Sequence, residues 1–145
     1  MKKLTMIVAL FALMLSSACS IVDEVGRSVD YVNETKRYLT SVSDFVEGAP
    51  ELIQAAATDE AARDDLGNQL ASLREQIEEF NNLEAPTVAE DLHQDIVTQN
   101  EAALEKIDQV YQDGEVVVEE LQNSEIIQTL QELSSLMNAV ENLEL

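Results

Sequence analysis

Leu66-Gly-Asn-Gln-Leu70-Ala-Ser-Leu73-Arg-Glu-Gln-Ile77-Glu-Glu-Phe80 places apolar residues at alternating steps of four and three, with polar residues between them. That spacing makes one face of an α-helix, because a strand would alternate at every second residue. The helix extends outward from Asp59 to Asn82, with Thr58 placed to cap its start. Asn81 and Asn82 suit its end, and Pro86 marks the connection that follows.

Three other segments have the same period. The first runs from Ile21 to Glu47, with Val22, Val25, Val29, Val32, Leu39, Val42 and Val46 as its stripe. Lys36 takes one place in that stripe, where its stem can lie along the seam while its ammonium reaches water. Gly48 is expected to stop this helix, and Pro50 to open a short one that ends at Ala57. A third helix begins at Thr87, where Thr87-x-x-Glu90 reads as a capping box. Leu92, Ile96, Ala103, Ile107 and Val110 share its face, widened by Val97, Leu104 and Tyr111, and Gly114 is the expected stop. The fourth runs from Val116 to Leu143, with a break at Asn123 and a fresh start capped by Ser124. Ile126, Leu130, Leu133, Met137 and Val140 form its stripe. Val116-Val117-Val118 is a local conflict, since β-branched runs prefer strands. It is read as the frayed first turn of the fourth helix.

Helices with one apolar face must bury it against one another. Short connections favour antiparallel neighbours. The expected fold is all-α, an antiparallel bundle of four long helices. A three-helix bundle with the first segment partly loose is the alternative.

The start of the chain carries an address. Met1-Lys2-Lys3 precedes an apolar run from Leu4 to Leu15, and Ser16-Ser17-Ala18 leads to Cys19. A basic start, a short apolar core and small residues before a cleavage point make a secretory signal. The apolar run is shorter than the ~20 residues that span a bilayer. Cys19 is the chain's one cysteine, and its thiol is the group that lipoprotein processing acylates with diacylglycerol. A free thiol at a mature N-terminus would be exposed to oxidation, a liability that acylation removes. Residues 1–18 are therefore read as signal peptide, and 19–145 as one domain lipid-anchored at Cys19 on the extracytoplasmic face of the membrane. Lipoprotein signals usually carry Leu three residues before the cysteine. Here Ser16 stands there, and Ser16-x-Ala18 also suits ordinary signal peptidase, which leaves secretion as the alternative.

The net charge of -21 includes Lys2 and Lys3, so the processed chain stands at -23. Its basic residues are scattered: Arg27, Lys36, Arg37, Arg63, Arg74 and Lys106. Nucleic acid is excluded as a partner, because phosphate binding needs a basic stripe. Anionic headgroups repel the chain as well, so membrane attachment falls to the acyl anchor. Cations, polyamines and basic proteins remain allowed, although an acidic surface also serves solubility alone.

Motifs for catalysis are lacking. Glu90-x-x-His93 puts a carboxylate and an imidazole on one helical face, as in di-iron bundles. Such a site needs a second motif of this kind, and His93 is the one histidine. His93 is therefore expected at the edge of the core with one ring nitrogen hydrogen-bonded. No serine sits in a Gly-x-Ser-x-Gly turn, and no glycine-rich phosphate loop exists among the four glycines. Asp113-Gly114-Glu115 lacks the spaced acids of a calcium loop. Paired acids such as Asp64 with Asp65, Glu78 with Glu79 and Glu119 with Glu120 read as solvated faces. No cofactor, metal site or catalytic residue is expected.

Phe80-Asn-Asn-Leu-Glu-Ala-Pro86, then Ala89-x-x-Leu92-His93-x-x-Ile96, then Asn100, resemble a family of small predicted lipoproteins from Bacillus and related Gram-positive bacteria. Val29-Asp-Tyr-Val-Asn33 and Asn123-Ser-Glu-Ile-Ile127 are similar to it too. The resemblance covers the whole chain, on helix punctuation and core positions. It implies Cys19 as the lipidated residue and a Gram-positive cell surface, and no activity.

Three functional readings follow. The first is a lipid-anchored surface protein whose bundle is a non-catalytic interaction or structural module with a protein partner. The second is a binding protein for a small cationic ligand or basic partner, and the third, ranked last, a hydrolase. A pocket lined by buried acids would favour the second. A solid apolar core with carboxylates only outside would favour the first.

Overall fold

The computed structural model describes residues 18–112, 115–123 and 125–143, with side chains from residue 26 onward. The expected signal segment before Ala18, the stop at Gly114 and the cap at Ser124 lie outside the described residues, as does the side chain of Cys19.

Helix α1 spans Ala18–Ala56 and is 39 residues long. Its buried face repeats every seven residues in three interleaved rows, one of them carrying Val32 and Leu39. A second row is small: Ser28, Thr35, Val42, Ala49 and Ala56. Another is large: Tyr31, Tyr38 and Phe45. A seven-residue repeat keeps one seam facing a bundle core over many turns. The valine stripe expected here runs partly off this seam. Val32, Leu39 and Val42 are buried and Val46 packs against the core, whereas Val29 is 42% exposed.

The expected stop at Gly48 does not occur, and Pro50 sits inside the same helix. A proline in a helix interior removes one backbone hydrogen bond and costs ~3 kcal/mol, and a glycine ~1 kcal/mol. Both residues are exposed. Beyond them Ala49 and Ala56 are buried, and Leu52 and Ile53 pack against the core. Burial of this last stretch offsets the two unfavourable residues and carries the helix through.

Asp59, not Thr58, caps helix α2 (Glu60–Asn81): its carboxylate accepts from the amides of Ala61 at 2.8 Å and Ala62 at 3.3 Å. Thr58 instead closes α1, donating its own amide to the Ala55 carbonyl. Arg63 seals the joint by donating Nε and Nη2 to the Ala56 carbonyl at 3.3 and 3.1 Å. The α2 stripe is buried as expected, at Leu66, Leu70, Leu73, Ile77 and Phe80. At its end the Asn82 side chain donates to the Glu78 carbonyl at 2.7 Å.

The capping box at Thr87 does not form. Thr87–Ala89 is a turn of 3-10 helix after an extended Pro86, and α3 (Glu90–Val110) opens without a side-chain cap. The Ala89 amide donates to the Pro86 carbonyl at 2.8 Å, and Ala89 is 1% exposed. Burying Ala89 sets the start of α3. Glu90 and Asp91 then place negative charge at the positive end of the helix dipole.

The valine run is also not helical throughout. Strand β1 (Tyr111–Gln112) pairs antiparallel with β2 (Glu115–Val116), Tyr111 opposite Val116. The β-branched preference wins here, and the hairpin packs over Gly67 on α2. A Cβ there would meet Val116 Cγ2 at 3.4 Å and Tyr111 Cε2 at 3.6 Å. The fourth wall is then built from α4 (Val118–Asn123), α5 (Ile126–Ser135) and α6 (Met137–Glu141). The break after Asn123 falls where expected, and a second one at Leu136 is additional. Ile126, Leu130, Leu133 and Val140 remain on one buried stripe across that break.

The fold is an all-α antiparallel helical bundle with one small hairpin. Helix α1 packs on α2 and α5, and α3 packs on α2 and α5, so α1 and α3 face each other across the core.

Candidate functional site

The polar side chains that reach the core gather near one end, on α1, α2 and α3. Tyr31 on α1 meets His93 on α3, with Tyr31 Oη 3.1 Å from His93 Nδ1 and the rings edge to face at 5.8 Å. Phe80 from α2 fills the space beside them. Its ring centroid lies 5.2 Å from His93 and 4.6 Å from Tyr38, against which it stacks. Two turns further along α1, Tyr38 donates its hydroxyl hydrogen to Asn100 Oδ1, and Asn100 Nδ2 donates to Asn81 Oδ1 at 2.7 Å. Asn100 is fully buried. A low-dielectric core makes such bonds matter, because an unpaired polar group there costs ~1–3 kcal/mol.

Burial shifts the titrating members of the cluster toward neutrality. It pushes the Tyr31 and Tyr38 hydroxyls up from their usual range and the His93 imidazole down. His93 thus sits at the core's edge with one nitrogen hydrogen-bonded, as its sequence context led one to expect. Glu90 is exposed in the first turn of α3. Among the described residues no three of His, Cys, Asp and Glu come together to hold a metal.

Asn100 and the Tyr31, Tyr38, Phe45 row were not singled out as core residues from the sequence. The available signal was the seven-residue spacing of the aromatics, parallel to the valines and one position away from them.

Outside the core, the described hollows are open. One lies between α1 and α2, about 440 Å³, lined by Glu34, Arg37, Tyr38, Gln76, Glu79, Phe80 and Leu83. Gln76 also borders the next hollow along the same seam, about 260 Å³, with Ser41, Asp44, Phe45, Gln69, Ser72 and Leu73. At the far end a third hollow lies between α2 and the hairpin, where Arg63 stands among Glu60, Asp64 and Glu115. No aspartate or glutamate is buried among the described residues; the buried polar side chains are Ser28, Thr35 and Asn100. No described helix is long and apolar enough to cross a membrane.

Comparison with known proteins adds two findings. Residues 31–143 match a family of unknown function, DUF6376, over the whole bundle from Tyr31 onward. The chain is 30% identical over 146 residues to the uncharacterized lipoprotein YybP of Bacillus subtilis (strain 168), covering 99% of each. No solved structure matches.

Proposed function

We propose, from the premise that the chain belongs to the DUF6376 family, that it is a lipoprotein whose bundle is a non-catalytic interaction module. Cys19 is the acylated residue, residues 1–18 are the signal, and 19–145 form one domain held at the extracytoplasmic face of the cell membrane. Support for the anchor comes from the residues before Cys19 and from the full-length likeness to a Bacillus lipoprotein.

The observation that carries the module reading is the core. Among the described residues it is solidly apolar, its polar side chains are hydrogen-bonded, and every carboxylate is outside it. A small cationic ligand held between the helices would need buried acids to replace its hydration. Hydrolysis would need a base beside a nucleophile. His93 is engaged instead with Tyr31 and packed on Phe80. What remains is a stable acidic surface presented on a lipid tether.

Fractionation of cells tests the anchor. Wild type belongs in the membrane fraction, and Cys19→Ser in the medium or as an uncleaved precursor. Two acyl chains hold a protein stably, at ~0.8 kcal/mol per buried methylene. Equal membrane retention of wild type and a processed Cys19→Ser chain defeats the lipoprotein reading. Pull-down from membranes with the intact lipoprotein tests the module, and recovery of no specific partner counts against it.

A further inference from the structure

Helix α1 leaves no linker between the proposed anchor and the bundle. Cys19 lies in its first turn, and the helix continues unbroken from there to Ala56. The two polar pairs give the levels. Tyr31 with His93 and Tyr38 with Asn100 each join residues 62 apart, so α1 and α3 run in the same direction. The same offset sets Val88, just before α3, level with Gly26. Arg27 agrees with that placement, since it shares a hollow with Glu84, Pro86, Thr87 and Glu90. The connection from α2 to α3 is therefore at the end of the bundle that faces Cys19, about seven residues or ~10 Å of helix away. This end also carries Val88 and Val29, 58% and 42% exposed, the two large apolar side chains that stand exposed among the described residues.

We propose that this end of the bundle, with Val88 as its apolar contact, is apposed to the lipid surface that holds the acyl chains. The proposal rests on the lipoprotein reading above and adds an orientation and a contact to it. Diacylglycerol fixes Cys19 at the boundary between acyl chains and headgroups. The headgroup layer is ~5–8 Å thick on each side of a bilayer. With α1 upright, the level of Val88 is then only a few ångströms beyond the headgroups, and a modest tilt closes the gap. A flexible tether would let the bundle tumble, whereas a helix fixes which end looks down. Charge does not supply the attraction, because Glu84 and Glu90 outnumber Arg27 here. The anchored helix holds the end in place, and Val88 gains by leaving water. The opposite end, where α1 stops at Ala56, stands ~55 Å from Cys19 along the helix and is left facing outward for a partner.

The test uses the full-length lipidated protein in vesicles of zwitterionic lipid, with a fraction of the lipid bearing a nitroxide on its headgroup. Cys19 is the chain's one cysteine and carries the lipid, so a thiol-reactive fluorophore reports a single introduced site. Thr87→Cys places it at the proposed contact and Ala57→Cys at the opposite end, both exposed positions. Fluorescence at the first site is expected to be quenched severalfold more than at the second. Equal quenching, while the protein floats with the vesicles, leaves the anchor standing and overturns the apposition. Failure of the unlabelled wild-type protein to float overturns the anchor and the apposition with it. Two variants divide the cause. A flexible Gly-Ser insert of about ten residues after Ser20, ~17 Å in mean reach, is expected to remove most of the difference between the two sites. An undiminished difference shows that α1 does not orient the bundle, and overturns the proposal. Val88→Asp, combined with Thr87→Cys, is expected to reduce the quenching there, and no reduction removes Val88 from the contact.

Discussion

Tyr38 and Asn100 hydrogen-bond across the core from α1 to α3, 62 residues apart in sequence. One heptad earlier, Tyr31 and His93 meet at the same separation of 62 residues. The two pairs are successive rungs between parallel, diagonally opposed helices. Any sliding of α1 against α3 breaks both at once, so the rungs set the register of the bundle.

Losing either side of a rung strands a buried polar atom on the other. Asn100→Ala strips the partner from the buried Tyr38 hydroxyl and opens a small cavity, with an expected loss of about 1–3 kcal/mol. Tyr38→Phe leaves Asn100 Nδ2 bonded to Asn81 but takes the donor from the buried Asn100 Oδ1, and should also lose about 1–3 kcal/mol. The double variant should lose less than the sum of the two, because the shared bond is broken once. Urea unfolding of all three measures the coupling, and strict additivity would mean that the bond contributes nothing.

The other rung is sensitive to pH. Burial holds the His93 pKa below its unfolded value near 6.5. The unfolded chain therefore binds the proton first as pH falls. The contribution is present above about pH 6.5 and is lost as pH drops from there through the lower folded value. His93→Gln should flatten this part of the stability-versus-pH curve. Thermal melts between pH 7.5 and 5 compare the two, and parallel curves would show that His93 does not titrate between folded and unfolded states.

Much of this bundle is readable because leucine and isoleucine dominate the stripes of α2 and α5, where one period has no competitor. Helix α1 is harder. Its valines at 22, 25, 29 and 32 make a stripe of their own, one position from the Tyr31, Tyr38, Phe45 row. Both rows turn inward from residue 31 onward, where Val32 and Leu39 are buried beside Tyr31 and Tyr38, and the valine period alone does not reveal the second row. Local signals fail wherever burial outbids them: Thr87 loses its capping role to the inward turn of Ala89, and Pro50 fails to start a new helix because the residues around it still pack. For Val116 the opposite holds, since local preference for a strand prevailed. The polar rungs were invisible because an asparagine inside an amphipathic helix looks the same whether it faces water or a tyrosine on another helix.

Helix α1's continuity has its own consequence at Gly48. No heavy atom lies within 4 Å of where its Cβ would stand, and the residue is exposed in a helix interior. Gly48→Ala should raise stability by about 0.5–1 kcal/mol through helix propensity alone. If the chain instead broke there, as Gly48 followed by Pro50 first suggests, alanine would bring no gain. Chemical denaturation distinguishes the two.

Leu133 tests the bundle as a whole. It is fully buried in α5, on one stripe with Ile126 and Leu130. Glu132, its neighbour in sequence, is exposed and accepts a hydrogen bond from Gln128 at 3.2 Å. Leu133→Asp forfeits roughly 1.5–3 kcal/mol of apolar burial. It also places a carboxylate in the core, which must be desolvated or protonated to stay there. Together these approach the whole stability of a small domain, about 5–15 kcal/mol. Glu132→Ala gives up one exposed contact and should stay within about 0.5 kcal/mol of wild type. Circular dichroism melts should therefore find Leu133→Asp largely unfolded and Glu132→Ala near wild type. Near-equal melting temperatures would place Leu133 at the surface, and the fourth wall of the bundle would have to be redrawn.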